Sequence, residues 1–109
     1  MSCTLIQGDC IVEMQKLIDD GIKVDLVLTD PPYGTTKCKW DTIIPLNDMW
    51  SCINELCNPT TPVLLFCDEP FSSRLRLSNL NNYKYDWLWI KEGPSNIFNA
   101  KRRPLKYHE

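Results

Sequence analysis

The sequence predicts an α/β fold: a mostly parallel sheet with helices covering both of its faces. Three observations carry that expectation. Val24-Asp25-Leu26-Val27-Leu28-Thr29 and Pro62-Val63-Leu64-Leu65-Phe66-Cys67 are short, nearly continuous apolar runs, as strands buried on both sides require. Two other segments repeat apolar residues at helical spacing: Ile11, Met14, Leu17 and Ile18, then Leu46, Met49, Trp50, Ile53 and Leu56. The two kinds of segment alternate along the chain, which is the order that builds parallel sheets through helical crossovers.

Each element has its own local signals. Cys3-Thr4-Leu5-Ile6-Gln7 reads as a first short strand ending at Gly8-Asp9. Asp9 is placed to cap the helix that begins near Ile11, and Gly21 to end it. The strand at Val24–Thr29 is stopped by Pro31 and Pro32. Residues 34–45 form a loop containing Gly34, Thr35, Thr36 and Pro45. The second helix follows over Leu46–Leu56, limited by Pro59, and leads to the strand Pro62–Cys67. A weaker helix spans Pro70 to about Leu77, and Asn79 to Asn82 reads as a turn. From Tyr83 to Lys91 the chain alternates, with Tyr83, Tyr85, Trp87 and Trp89 on one side, which predicts a half-buried strand. From Glu92 onward it reads as irregular.

Length and composition bound the function. With 109 residues the chain holds one small domain, and 43% hydrophobic content rules against wholesale disorder. No apolar run reaches the length of a membrane span, and Met1-Ser2-Cys3-Thr4 lacks the basic flank and apolar core of a secretory signal. The expectation is a cytoplasmic protein with no membrane partner. Six cysteines lie at 3, 10, 38, 52, 57 and 67, and no pair has Cys-x-x-Cys spacing, so no zinc ribbon or redox dithiol is expected, and no metal. Cys3, Cys10, Cys52, Cys57 and Cys67 sit in apolar stretches and read as reduced, small hydrophobes. Charge is uneven. Residues 1–83 hold 6 basic and 11 acidic side chains, and residues 84–109 hold 6 basic and 3 acidic. The cluster Lys101-Arg102-Arg103 suits phosphate contact, although by charge alone a solvated loop is the simpler reading. His108, the only histidine, has no visible catalytic or metal-ligating partner.

The segment richest in chemistry is Thr29-Asp30-Pro31-Pro32-Tyr33-Gly34. Ligands of open α/β sheets bind beyond the carboxyl ends of the strands, where this loop falls. Two prolines fix φ near −65° and remove two N–H groups, so the backbone is extended and stiff. Such a loop holds the Asp30 carboxylate and a neighbouring carbonyl at a set separation. Both are acceptors, and an NH2 group offers two donors. The exocyclic amine of adenine or cytosine is a poor nucleophile because its lone pair is delocalised into the ring. Two fixed acceptors draw both hydrogens out of the ring plane, localise the lone pair and, through the anionic Asp30, stabilise positive charge on nitrogen. Tyr33 supplies a face for an extruded base.

These residues resemble the DNA amino-methyltransferase family, whose catalytic loop reads Asp/Asn/Ser-Pro-Pro-Tyr/Phe/Trp, often followed by Gly. The Asp form is associated mainly with adenine N6 and the Ser form mainly with cytosine N4. The resemblance implies a partial Rossmann-like fold that uses S-adenosylmethionine as methyl donor and double-stranded DNA as partner. It implies that Asp30 and the Pro31 carbonyl bind the target amine, with Pro32 stiffening the loop and Tyr33 stacking on the base. Leu5-Ile6-Gln7-Gly8-Asp9-Cys10 looks like the family's cofactor segment. That likeness assigns Asp9 and Cys10, together with Asp30, to S-adenosylmethionine, while Asp9 as a helix cap remains compatible with either role. Lys101, Arg102 and Arg103 fall in a stretch that the resemblance places near DNA.

The resemblance covers only part of such an enzyme. The family carries a Phe-x-Gly-x-Gly cofactor loop, whereas the glycines here are at 8, 21, 34 and 93. In one permuted group of the family the cofactor segment and catalytic loop come first, and target recognition and the glycine loop follow. The expectation is therefore residues 1–109 as the N-terminal catalytic part of a permuted enzyme, an incomplete fold that needs the remainder and binds S-adenosylmethionine weakly, if at all, by itself. The leading function is adenine-N6 DNA methylation in a setting such as restriction–modification, phage self-protection or an orphan methylase. Cytosine-N4 methylation, methylation of RNA or of a protein amide, and a non-catalytic truncated remnant are the alternatives. A deaminase would need His-x-Glu and Pro-Cys-x-x-Cys, and neither occurs.

Overall fold

A computed structural model of the chain describes the backbone of residues 2–95 and 106–108 and the side chains of residues 2–90. The first helix, α1 (Cys10–Asp19), starts where Asp9 satisfies two of the N–H groups that a helix leaves unpaired. Asp9 Oδ1 accepts from the amides of Ile11 (3.0 Å) and Val12 (3.2 Å). The helix ends at Gly21, whose φ is +74°. Gly21 N–H donates to the Ile18 carbonyl at 2.9 Å and Ile22 N–H to Leu17 at 3.1 Å, the paired bonds of a Schellman cap.

The chain then enters β1 (Val27–Thr29), crosses through α2 (Leu46–Leu56) and returns as β2 (Val63–Leu65). β1 and β2 are parallel, with Val27 opposite Val63, Leu28 opposite Leu64 and Thr29 opposite Leu65. A single parallel bridge between Val24 and Cys57 and a Thr61 Oγ1 bond to the Val24 carbonyl (2.8 Å) tie down the entry to β1. α2 buries Met49, Cys52, Ile53 and Leu56, a three-and-four spacing that forms one face. α3 (Phe71–Ser78) and a short 3-10 turn (Leu80–Asn82) follow. The core is Met49 and Ile53 of α2 against Phe71 and Leu75 of α3, flanked by Ile11, Met14, Val27, Val63 and Leu65. Each fully buried side chain of this kind stabilises by about 1.5–3 kcal/mol. Among the described residues no helix is long and apolar enough to cross a membrane.

The structure is thus a small α/β domain with three helices and a two-stranded parallel sheet. It departs from the sequence expectation in three places. Residues 3–7 form no strand, and Leu5 is 96% exposed. An extended segment is held only by a neighbour that takes its backbone groups, and none of the described residues does so. Second, the helices pack on one face of the parallel sheet, not both. Val27 and Leu65 face the core, whereas Leu28, pointing the other way, is 62% exposed. Third, residues 83–89 are not a strand. The strand β3 begins at Ile90, runs to Ser95 and pairs antiparallel with β4 (Lys106–His108), in the stretch expected to be irregular. Tyr85, Trp87 and Trp89 are all exposed, so their alternation serves no buried side. The segment is tethered instead by side chains: Tyr83 donates to Asp86 (2.9 Å), and Arg76 pairs with both Asp86 and Glu69.

Candidate functional site

β1 delivers the loop Asp30–Gly34 to the carboxyl end of the parallel sheet. The Thr29 carbonyl still accepts from Phe66 N–H (2.9 Å), so the sheet's register persists to the residue before Asp30. Pro31 is buried, Pro32 and Tyr33 are half-buried, and Asp30 is exposed. Tyr33 donates its phenolic O–H to Asp30 Oδ1 at 3.0 Å, which fixes the carboxylate relative to the ring. That ring stacks on Phe71, centroids 5.4 Å apart and planes 15° from parallel. Phe71 is only 1% exposed, so the tyrosine rests on the centre of the core rather than on a surface side chain.

Past Tyr33 the backbone must reverse. Gly34 takes φ +70°, a conformation that side chains disfavour, and a Cβ there would lie 2.8 Å from Ile43 Cγ1. The reversed loop wraps around one carboxylate. Asp41 Oδ1 accepts from Gly34 N–H (2.9 Å). Asp41 Oδ2 accepts from Thr35 N–H (3.1 Å), Thr36 N–H (2.8 Å) and the Thr36 hydroxyl (2.7 Å). These donors, the Thr36 hydroxyl foremost and then the Gly34 amide, pull the carboxyl down to about 2 from its ordinary value. Asp41 N–H closes a tight turn by donating to the Cys38 carbonyl at 3.0 Å, with Lys39 and Trp40 at its corner.

The latched loop and the Asp-Pro-Pro-Tyr segment enclose an open cleft of about 290 Å³ lined by Asp30, Pro31, Pro32, Tyr33, Thr35, Thr36, Trp40 and Asp41. That volume lies at the lower edge of small-molecule sites, about 300–1,000 Å³. Its lining combines an exposed carboxylate, a braced aromatic ring and stiff backbone, which suits a flat heterocycle bearing hydrogen-bond donors on its edge. A smaller hollow of about 70 Å³ is lined by Tyr33, Gly34, Thr35, Ile43, Pro70, Phe71 and Arg74.

No protein family, curated protein or solved structure was found to match this chain. The functional reading therefore stands on the residues and the geometry.

Of the residues singled out by sequence, Asp30, Pro31, Pro32 and Tyr33 come together in one cleft. Asp9 and Cys10 border neither cleft. Asp9 is engaged as the cap of α1, and the Cys10 thiol is pushed up by partial burial and by the Asp9 charge. Asp9 and Cys10 thus lie apart from the cleft that Asp30 lines. Lys101, Arg102 and Arg103 lie outside the described residues. Among the described residues no group of three or more His, Cys, Asp or Glu side chains could hold a metal ion. Of the thiols read as small hydrophobes, Cys52 is buried and Cys57 and Cys67 are half-buried, but Cys3 and Cys10 are exposed.

Sequence reasoning missed Asp41, Trp40 and Phe71. The signal for Asp41 was available: an acidic residue closing a Gly-Thr-Thr loop whose amides have no strand to join. Phe71 carried no local signal, because its stacking on Tyr33 joins residues 38 positions apart.

Proposed function

We propose that this chain carries the catalytic loop of an S-adenosylmethionine-dependent DNA methyltransferase that modifies the exocyclic N6 amine of a flipped adenine. The observation that carries the reading is the exposed Asp30 carboxylate, held 3.0 Å from the Tyr33 hydroxyl in an open cleft at the end of β1. An adenine entering that cleft lies on the Tyr33 ring, which Phe71 supports from the core. Its amine donates one hydrogen to Asp30 and the other to the Pro31 carbonyl. Asp30 Oδ2 has no hydrogen-bond partner among the described residues, so the carboxylate accepts this bond without breaking its contact with Tyr33. With both hydrogens drawn out of the ring plane, the nitrogen lone pair is free to attack. The negative charge of Asp30 then stabilises the positive charge that develops on nitrogen. S-adenosylmethionine, when bound, would supply the electrophilic methyl group, its methyl–sulfur bond breaking to leave a neutral thioether while the surplus amine proton passes to solvent.

The test is nucleoside analysis of DNA from methylation-deficient cells expressing the whole reading frame that encodes these residues. N6-methyladenine is expected with the native sequence and none with Asp30→Ala. Methyl groups only at cytosine N4 would replace adenine by cytosine as target. Undiminished methylation by Asp30→Ala would remove Asp30 from the chemistry and the proposal with it.

A further inference from the structure

The cleft has a second aromatic side chain that the catalytic loop does not supply. Trp40 lines it together with Asp30 and Tyr33, yet it is 75% exposed. A tryptophan gains stability by burying its ring and by finding an acceptor for its indole N–H. Each of the chain's other tryptophans has a partner, although Trp87 and Trp89 stay exposed. Trp50 is half-buried and donates to Ser78 Oγ at 2.7 Å. Trp87 lies against Tyr85, and Trp89 packs edge-on against Phe66. Trp40 makes no ring contact and no hydrogen bond through its indole among the described residues. Packing within the described chain therefore does not account for it.

Its position is nevertheless well defined. Trp40 sits at the corner of the turn closed by Asp41 N–H on the Cys38 carbonyl, and Cys38 N–H is itself anchored on Thr36 Oγ1 at 3.3 Å. The residue after it is Asp41, 8% exposed, whose carboxylate gathers the amides of residues 34–36. A bulky ring left in water on a backbone pinned from both sides has the arrangement of a binding wall.

We infer that Trp40 is the second aromatic wall of the cleft, closing over a nucleobase that rests on Tyr33. This rests on the proposed function, because it takes the occupant of the cleft to be a base. Two π faces around one base provide stacking that every base can use, while Asp30 selects for an amine at its edge. Tyr33, immobilised on Phe71, is the fixed wall, and the exposed Trp40 is the wall that gains burial when the base enters.

The experiment uses the full chain with nitrogen-15-labelled indole groups and a short single-stranded oligodeoxyadenylate as probe. Base–aromatic stacking lost on alanine substitution corresponds to roughly a fivefold to 150-fold weakening. Trp40→Ala is expected to weaken oligodeoxyadenylate binding within that range, and Trp40→Phe, which keeps a ring, to fall between it and the native chain. The Trp40 indole signal, assigned by its absence in Trp40→Phe, should move on binding while that of Trp50 stays. Tyr33→Ala separates the two readings. If Tyr33→Ala weakens binding but Trp40→Ala stays within twofold of native, the inference is overturned and the base reading stands. If the native chain does not bind the probe, or Tyr33→Ala binds as well as native, both fall. If S-adenosylmethionine alone moves the Trp40 signal and the oligodeoxyadenylate does not, Trp40 belongs to the methyl donor and the inference is overturned. Because Trp40 is exposed, circular dichroism of each Trp40 variant should match the native chain.

Discussion

Two glycines with nearly the same backbone conformation offer an internal control on how the site is built. Gly21 has φ +74° and open space within 4 Å of where an alanine methyl would sit, whereas Gly34 has φ +70° and Ile43 Cγ1 at 2.8 Å. Alanine at either position meets the left-handed strain of an L residue, about 1–2 kcal/mol. Alanine at 34 also meets the steric term of an overpacked site, about 1–3 kcal/mol. Gly34→Ala should therefore destabilise by about 2–5 kcal/mol and Gly21→Ala by about 1–2 kcal/mol. In a domain of this size each kcal/mol lowers Tm by about 4–8 °C, so thermal melts followed by circular dichroism resolve the two. Ile43→Ala removes the clashing Cγ1 atom. The double variant Gly34→Ala/Ile43→Ala should then recover about 1–3 kcal/mol relative to additivity. If Gly34→Ala melts no lower than Gly21→Ala, or the double variant is strictly additive, the loop is not packed against Ile43 as described.

Further outcomes follow from the same geometry. Phe71→Ala removes the 1%-exposed ring under Tyr33 and should cost about 3–5 kcal/mol in stability, with the Tyr33 ring resonances broadening as their support is lost. The Asp41 latch has a lowered folded-state pKa, so its contribution is complete above the unfolded value near 4 and fades as pH falls towards about 2. The amide signals of Gly34, Thr35 and Thr36 should titrate together in that window, and in Asp41→Asn they should be shifted already at neutral pH. Thiol labelling should separate the cysteines. Cys3 and Cys38 are exposed and should react first, while Cys52 is buried, with its thiol pushed up by that burial and by Glu55 and Asp48, and should react only on unfolding.

The sequence was most legible where a pattern is satisfied locally. The helix α2 occupies Leu46–Leu56 as its apolar spacing predicts, and Asp9 and Gly21 cap α1 through bonds that span only a few residues. The parallel pairing of β1 and β2 was legible as well, because both strands are continuous apolar runs separated by a helix. Strands whose partners are distant were not. Residues 3–7 have the composition of a strand but no described neighbour to receive their backbone bonds, and residues 83–89 alternate without a face to bury. In the cleft, the Asp-Pro-Pro-Tyr segment could be read as a unit because its chemistry is contiguous. The Asp41 latch spans five to seven residues and the Tyr33–Phe71 stack spans 38, so only the folded chain brings these supports together.

The central claim is that Asp30 and a neighbouring carbonyl grip the two hydrogens of a nucleobase amine. Titration of the chain with adenosine, N6,N6-dimethyladenosine and purine riboside, read from the amide signals of Asp30, Tyr33 and Gly34, tests it most directly. All three present a similar purine face to Tyr33, but only adenosine has amine hydrogens. Hydrogen bonds to a charged group contribute about 1.5–3 kcal/mol, so adenosine should bind about tenfold to 150-fold more tightly than the other two. That preference should vanish in Asp30→Ala. Equal binding of all three nucleosides by the native chain would contradict the account.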